Sequence, residues 1–99
     1  MLTIKKTVEN GGAVFALGGR LDTTTAPELE SALRDTLTGV GELTLDLKEL
    51  EYISSAGLRV LLSAQKVMAG QGGMKIVHAN ETIMEIFEIT GFSDILTIA

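Results

Sequence analysis

Two adjacent serines, Ser54 and Ser55, are the residues best placed to do chemistry, because of what flanks them. Upstream, Glu42 to Leu47 alternates, with Leu43, Leu45 and Leu47 separated by polar residues, which is the period of a half-buried strand. Downstream, Leu58, Leu61, Leu62, Gln65, Met68 and Ala69 recur at helical spacing. The serines therefore stand where a strand hands over to a helix. A serine at such a point can cap the helix by accepting one of its free N–H groups. The remaining N–H groups and the helix dipole favour an anion there, including a phosphate. On a helical wheel at about 100° per residue, Arg59, Ser63, Lys66 and Gly70 form a narrow polar stripe. Ser55 falls beside that stripe and Ser54 on the apolar side. The wheel favours Ser55 as the exposed hydroxyl and Ser54 as the capping one. Cap residues do not hold helical dihedrals, so the wheel alone does not decide between them.

A serine nucleophile would need a base. The single histidine, His78, sits just upstream of Asn80 and reads as a strand-end residue. Ser54-Ser55-Ala56-Gly57 also lacks the leading glycine of a nucleophile elbow. Gly18-Gly19 lacks the spacing and the lysine of a phosphate-binding loop and reads as a bend leaving a strand. Asp22, Asp46 and the row Glu81, Glu85, Glu88 are accounted for as cap, strand-face and solvated-face charges. With no cysteine there is neither thiolate site nor disulfide framework. No catalytic residue, cofactor site or metal site is expected.

The 99 residues predict one domain spanning 1–99, with 45% hydrophobic residues to supply its core. A net charge of −5 argues against direct nucleic-acid binding. No apolar run approaches the roughly 20 residues that cross a bilayer, and Met1 to Lys6 lacks the apolar block of a signal peptide. A cytoplasmic protein without membrane insertion is the expectation.

Residues 2–8 read as a strand, Asn10-Gly11-Gly12 as a hairpin turn, and Ala13 to Leu17 as a second, more central strand. The Asp22 to Thr25 run and Pro27 open a first helix with Leu29, Ala32, Leu33 and Leu37 on one face, ending near Gly39 or Gly41. Strand 42–47 and the helix after Ser55 follow, and Gly70 to Gly73 closes that helix. Met74 to Ala79 is a strand, Asn80 caps a third helix that ends at Gly91, and Ile95 to Ile98 reads as a short edge strand. The order is ββαβαβαβ. It predicts an α/β fold with a mixed sheet of about four to five strands and all helices on one face. The helix after Ser55, apolar over most of its circumference, should lie in the middle of the helical layer. Loops at the carboxyl ends of neighbouring parallel strands leave the same edge, which brings Asp22, Thr23 and the Gly18–Leu21 bend near Ser55. A partner contact at Asp22 predicts that Asp22→Ala weakens binding at nearly constant stability, whereas a mere cap predicts a loss of folding.

The segment Leu47-Lys48-Glu49-Leu50-Glu51-Tyr52-Ile53-Ser54-Ser55-Ala56-Gly57-Leu58 resembles the signature of STAS domains, in particular the bacterial anti-sigma factor antagonists. Gly19-Arg20-Leu21-Asp22, Leu45-Asp46-Leu47 and Ile89-Thr90-Gly91-Phe92 extend the resemblance over essentially the whole chain. It implies a partner that is both an anti-sigma factor and a serine kinase, with ATP bound by that kinase. It implies phosphorylation of Ser55, release of the phosphorylated form, and a phosphoserine phosphatase that restores binding. The implied partner surface comprises Asp22, Thr23, Ser54, Ser55, Ala56, Gly57 and Arg59. Two positions depart from the commonest pattern: Ser54 stands where an aspartate is frequent, and Ala56 where a second serine is frequent. The alternative implied by the same resemblance is an accessory or docking subunit of a transporter or another signalling complex, without a phosphorylation switch.

Overall fold

A computed structural model describes all residues, 1–99. Strand β1 (Leu2–Glu9) turns at Asn10 and Gly11, both at positive φ (49° and 80°), into β2 (Gly12–Leu21). Helix α1 (Ala26–Thr36), β3 (Glu42–Ile53), α2 (Ser55–Ala69), β4 (Met74–Val77) and α3 (Glu81–Thr90) follow, with a short 3₁₀ turn over Phe92–Asp94. The sheet runs β1-β2-β3-β4, with β1 antiparallel to β2 and the remaining pairs parallel.

The helices bury one face of this sheet. Phe15, Leu17, Leu21, Leu43, Leu45, Leu47, Leu50 and Ile53 point into the same core as Leu29, Leu33, Leu58, Leu61, Ile83 and Phe87. The opposite face carries Val14 beside Thr44 and Ala16 beside Asp46 and has no helix over it. Val14 is 40% exposed, so the unbroken apolar run of Ala13 to Leu17 reflects an inner strand rather than burial on both faces. Helix α2 lies on β3 and β4 and packs against α1, and α3 rests on β3. Val67, an apolar flank of α2, stays 49% exposed at the rim of the α1–α2 groove.

Several boundaries differ from the sequence reading: α1 ends at Thr36 rather than near Gly39 or Gly41, and β4 at Val77 rather than Ala79. Strand β2 continues through Gly18 and Gly19 to Leu21, because those glycines remain paired with Thr3 and Leu2 of β1. Gly19 adopts a φ of 84°, and a side chain there would run into the Met1 carbonyl. Strand β3 continues from Leu47 to Ile53 through two register shifts that place extra residues opposite β2. The shifts explain why Leu47 and Leu50, three apart, both face the core. The expected strand at Ile95–Ile98 is reduced to a single bridge between Ile98 and Ile76, because the 3₁₀ turn occupies the chain up to Leu96. The sheet therefore has four strands.

One-sided burial sets an expected contrast. Leu45→Ala, at a fully buried site, should cost about 2–5 kcal/mol of unfolding free energy in urea. Val14→Thr on the open face should stay within about 0.5 kcal/mol of the parent. Comparable losses at both positions would mean that the sheet is covered on both faces.

Candidate functional site

The handover from β3 to α2 is held by Ser54 rather than by Ser55. Ser54 is extended (φ −96°, ψ 176°), and its Oγ accepts a hydrogen bond from the Gly57 N–H at 3.4 Å, making it the N-cap of α2. Its own N–H donates to the Leu21 carbonyl at 2.8 Å, tying this corner to the end of β2. With its carbonyl accepting from the Leu58 N–H at 2.9 Å, all three polar groups of Ser54 are engaged. Ser55 is the first residue of α2; it is exposed, and its hydroxyl takes part in no intramolecular hydrogen bond.

Gly57 is buried. A Cβ at this position would lie 2.7 Å from Leu21 Cγ and 2.9 Å from Ile53 Cγ1. The first turn of α2 can sit on the ends of β2 and β3 only because no side chain intervenes. Gly57, expected at the partner surface, faces the core here, and its duty in the fold is close packing.

On the neighbouring loop, Asp22 organises the turn that leads into α1. Its Oδ1 accepts from the N–H groups of Thr24 and Thr25 at 3.0 and 3.1 Å. The Thr25 hydroxyl accepts from the Asp22 N–H and donates to the Arg20 carbonyl, both at 2.8 Å. Thr25 is the one buried polar residue, 4% exposed, and this bonding accounts for its burial. The Thr25 N–H is foremost in holding the Asp22 carboxyl below its ordinary pKa; partial burial opposes it, and the Thr24 N–H adds to it. An alanine at position 22 would therefore unmake the turn, so the expectation of nearly constant stability is revised. Asp22→Asn, which can keep the Oδ1 acceptor and removes the charge, is the substitution that separates turn from surface.

One feature of this edge was not legible from local patterns. The Arg20 guanidinium lies 4.4 Å from the Tyr52 ring centroid, and its Nε is 3.9 Å from Asp22 Oδ2. Arg20 and Tyr52 become neighbours only through the second register shift of β3.

The two loops meet at a shallow groove of about 320 Å³ between the starts of α1 and α2, lined among others by Thr23, Pro27, Ala56, Arg59 and Ser63. Glu30 also lines it, with its carboxylate 3.1 Å from the Arg34 guanidinium. Helix α2 carries no acidic residue, and its two cations, Arg59 and Lys66, are exposed and form no ion pair. His78 is elsewhere: its Nδ1 is 3.1 Å from Asp46 Oδ1, in the middle of β3. The eight residues from Asp46 to Ser54 place it about 20 Å or more from the serines along the strand. The carboxyl of Asp46 is opposed chiefly by its partial burial, yet the Lys48 N–H and His78 bring it below the ordinary carboxylate value. No group of three potential metal ligands forms, and no helix is long and apolar enough to cross a membrane.

A family model described as the STAS domain matches residues 3–99. The protein BtrV of Bordetella bronchiseptica is 37% identical over 92 residues, covering 91% of this chain and 79% of its own length. The anti-sigma-B factor antagonist of Bacillus subtilis strain 168 is 32% identical over 84 residues, covering 84% of this chain and 77% of its own. Among solved structures, the anti-sigma factor antagonist SpoIIAA in its unphosphorylated form superposes with a TM-score of 0.82 at 15% identity, covering 98% of this chain and 88% of that one. The Bacillus SpoIIAA structure in the phosphorylated form gives 0.73 at 17% identity, covering 100% and 91%. At these identities the structures show a shared fold.

Two outcomes test the geometry of the corner. Gly57→Ala should cost about 1–3 kcal/mol in urea denaturation, the range of an overpacked core site. Its cost should shrink when combined with Leu21→Ala, because the crowding Cγ and Cδ2 atoms are then absent; strict additivity would show that the two do not share space. The depressed carboxyls of Asp22 and Asp46 contribute stability that is complete at neutral pH. It is lost as pH falls below about 4, the unfolded value, and through their folded values. Denaturant midpoints followed from pH 6 to pH 2 should therefore fall less steeply in Asp22→Asn and Asp46→Asn than in the parent. An unchanged acid limb in both would remove these residues from the acid response.

Proposed function

This chain belongs to the STAS domain family, and we propose that it works as an anti-sigma factor antagonist switched by phosphorylation of Ser55. In the unphosphorylated state it binds an anti-sigma factor that is also a serine kinase and so relieves a sigma factor for transcription. The partner surface comprises Thr23, Ser54, Ser55, Ala56 and Arg59, with Asp22 holding Thr23 in place. The kinase holds ATP. Ser55 Oγ attacks its γ-phosphorus, the bond to the β–γ bridging oxygen breaks, ADP leaves, and the hydroxyl proton passes to a base of the kinase. A phosphoserine phosphatase later hydrolyses the ester. This chain contributes the acceptor and the surface, not a catalytic group, since its one histidine is engaged by Asp46 far from the serines. Its place of work is the cytoplasm, where the transcription machinery is.

The observation that carries this reading is the division of labour at the corner: Ser54 is committed to the cap, and Ser55 is exposed with an uncommitted hydroxyl. A phosphate there adds about −1.5 to −2 charge and three acceptor oxygens. The first turn of α2 tolerates the charge, because its N–H groups and dipole favour an anion. A partner packed on the same spot must clash with the group or strip its water, which is costly. Each 1.4 kcal/mol of that penalty lowers affinity about tenfold. No rearrangement of the domain is required.

Incubation with the cognate kinase and ATP, followed by intact-mass and peptide mapping, tests the assignment. Ser55→Ala should take up no phosphate, keep its stability within about 0.5 kcal/mol, and still bind. Ser54→Ala should remain phosphorylatable while losing about 0.5–2 kcal/mol as a cap. Ser55→Asp should weaken binding less than phosphate does, since it carries one charge and fewer oxygens. Phosphate mapped to Ser54 would reverse the assignment. No phosphate with the cognate kinase would leave a docking module for another complex.

A further inference from the structure

Arginines elsewhere in this protein already have carboxylates. Arg34 pairs with Glu30 at 3.1 Å, and Arg20 lies 3.9 Å from Asp22 while stacking on Tyr52. Arg59 alone among them is exposed with no ion-pair partner, and no acidic residue shares its helix. It stands four residues after Ser55. Residues at that spacing are neighbours on a helix surface, with Cβ atoms about 5–6 Å apart. Helical side chains also lean back toward the preceding turn, which for Arg59 is the turn that starts at Ser55.

We propose that Arg59 receives the phosphate of phosphoserine 55 in cis, as a clamp that neutralises the modified form and withdraws its guanidinium from the partner surface. The inference rests on Ser55 being the modified residue and adds how its phosphate is held. An unpaired guanidinium in a groove also lined by Thr23 and Ala56 suits an acidic group on a partner. Once Ser55 carries a dianion, the same guanidinium has a closer competitor on its own helix. Release then has two components: the phosphate obstructs the partner, and the partner loses a cation it would have bound. The other charges at hand do not replace Arg59. Lys66 is seven residues further along α2, Glu30 is occupied by Arg34, and Asp22 is held by the Thr24 and Thr25 N–H groups.

The test uses the full chain with phosphoserine installed at position 55 during synthesis, so that it depends on no kinase. The phosphorus-31 chemical shift is titrated through the second ionisation of the phosphate, near pH 6. In the parent that ionisation should be lower than in Arg59→Gln by about 0.3 unit or more. Arg59→Lys should keep part of the difference, and Lys66→Gln should leave it unchanged. The nitrogen-15 resonance of Arg59 Nε should move along the same titration curve in the phosphorylated chain and stay flat in the unmodified one. Equal ionisation in parent and Arg59→Gln, with a flat Nε signal, would overturn the clamp while leaving Ser55 as acceptor. A kinase that phosphorylates Ser54 would instead overturn the acceptor assignment and leave the titration result standing.

Discussion

The site depends on how closely the first turn of α2 approaches the end of β2. Gly57 is the contact: Leu21 and Ile53 occupy the space a Cβ would need, and Leu21 returns the tie through its carbonyl to the Ser54 N–H. That one approach fixes where α2 starts and which way its first residues face. It turns Gly57 and Leu58 inward and leaves Ser55 and Arg59 outward. It also brings the Asp22–Thr25 turn alongside, because Asp22 directly follows Leu21. A larger residue at either end of the contact would move the serine loop relative to the Asp22 turn, and the groove between the two would lose its shape.

Much of this was readable from residue order. The strict alternation of Leu43, Leu45 and Leu47 announced a sheet covered on one side, and the buried set of β3 agrees. Asn80 and Gly91 mark the ends of α3 as their types suggest: Asn80 accepts from the Ile83 N–H at 3.0 Å, and Gly91 has a φ of 81°. Projecting the α2 wheel back set Ser55 beside the polar stripe and Ser54 on the apolar side without deciding between them; the extended backbone of Ser54 and its bond from the Gly57 N–H identify the cap. What local patterns could not carry was register. Two extra residues in β3 shift its pairing with β2, and only that shift sets Tyr52 against Arg20 and lets β3 run on to Ile53. The burial of Gly57 was equally hidden, since a glycine beside a serine motif reads as well for partner access as for tight packing. The last segment failed for a simpler reason. Ile95 to Ile98 is apolar enough for a strand, but Ile95 and Leu96 give their N–H groups to the Phe92 carbonyl, and only the residues after them meet Ile76.

The arrangement separates rigidity from display. Ser54, Gly57 and Thr25 spend their polar groups or their lack of a side chain on holding two loops together. Ser55, Thr23 and Arg59 are then free to face outward. A phosphate placed at Ser55 would therefore act on charge and access rather than on the fold.

That claim is tested most directly by comparing the unmodified chain with the chain carrying phosphoserine 55, using amide NMR shifts and hydrogen exchange. The account predicts shift changes confined to Thr23–Thr25 and Ser54–Val60, with unchanged exchange protection in the β2–β3 ladder. Lost protection in that ladder, or shift changes spreading to Phe15, Leu45 and Leu61 in the core, would contradict it.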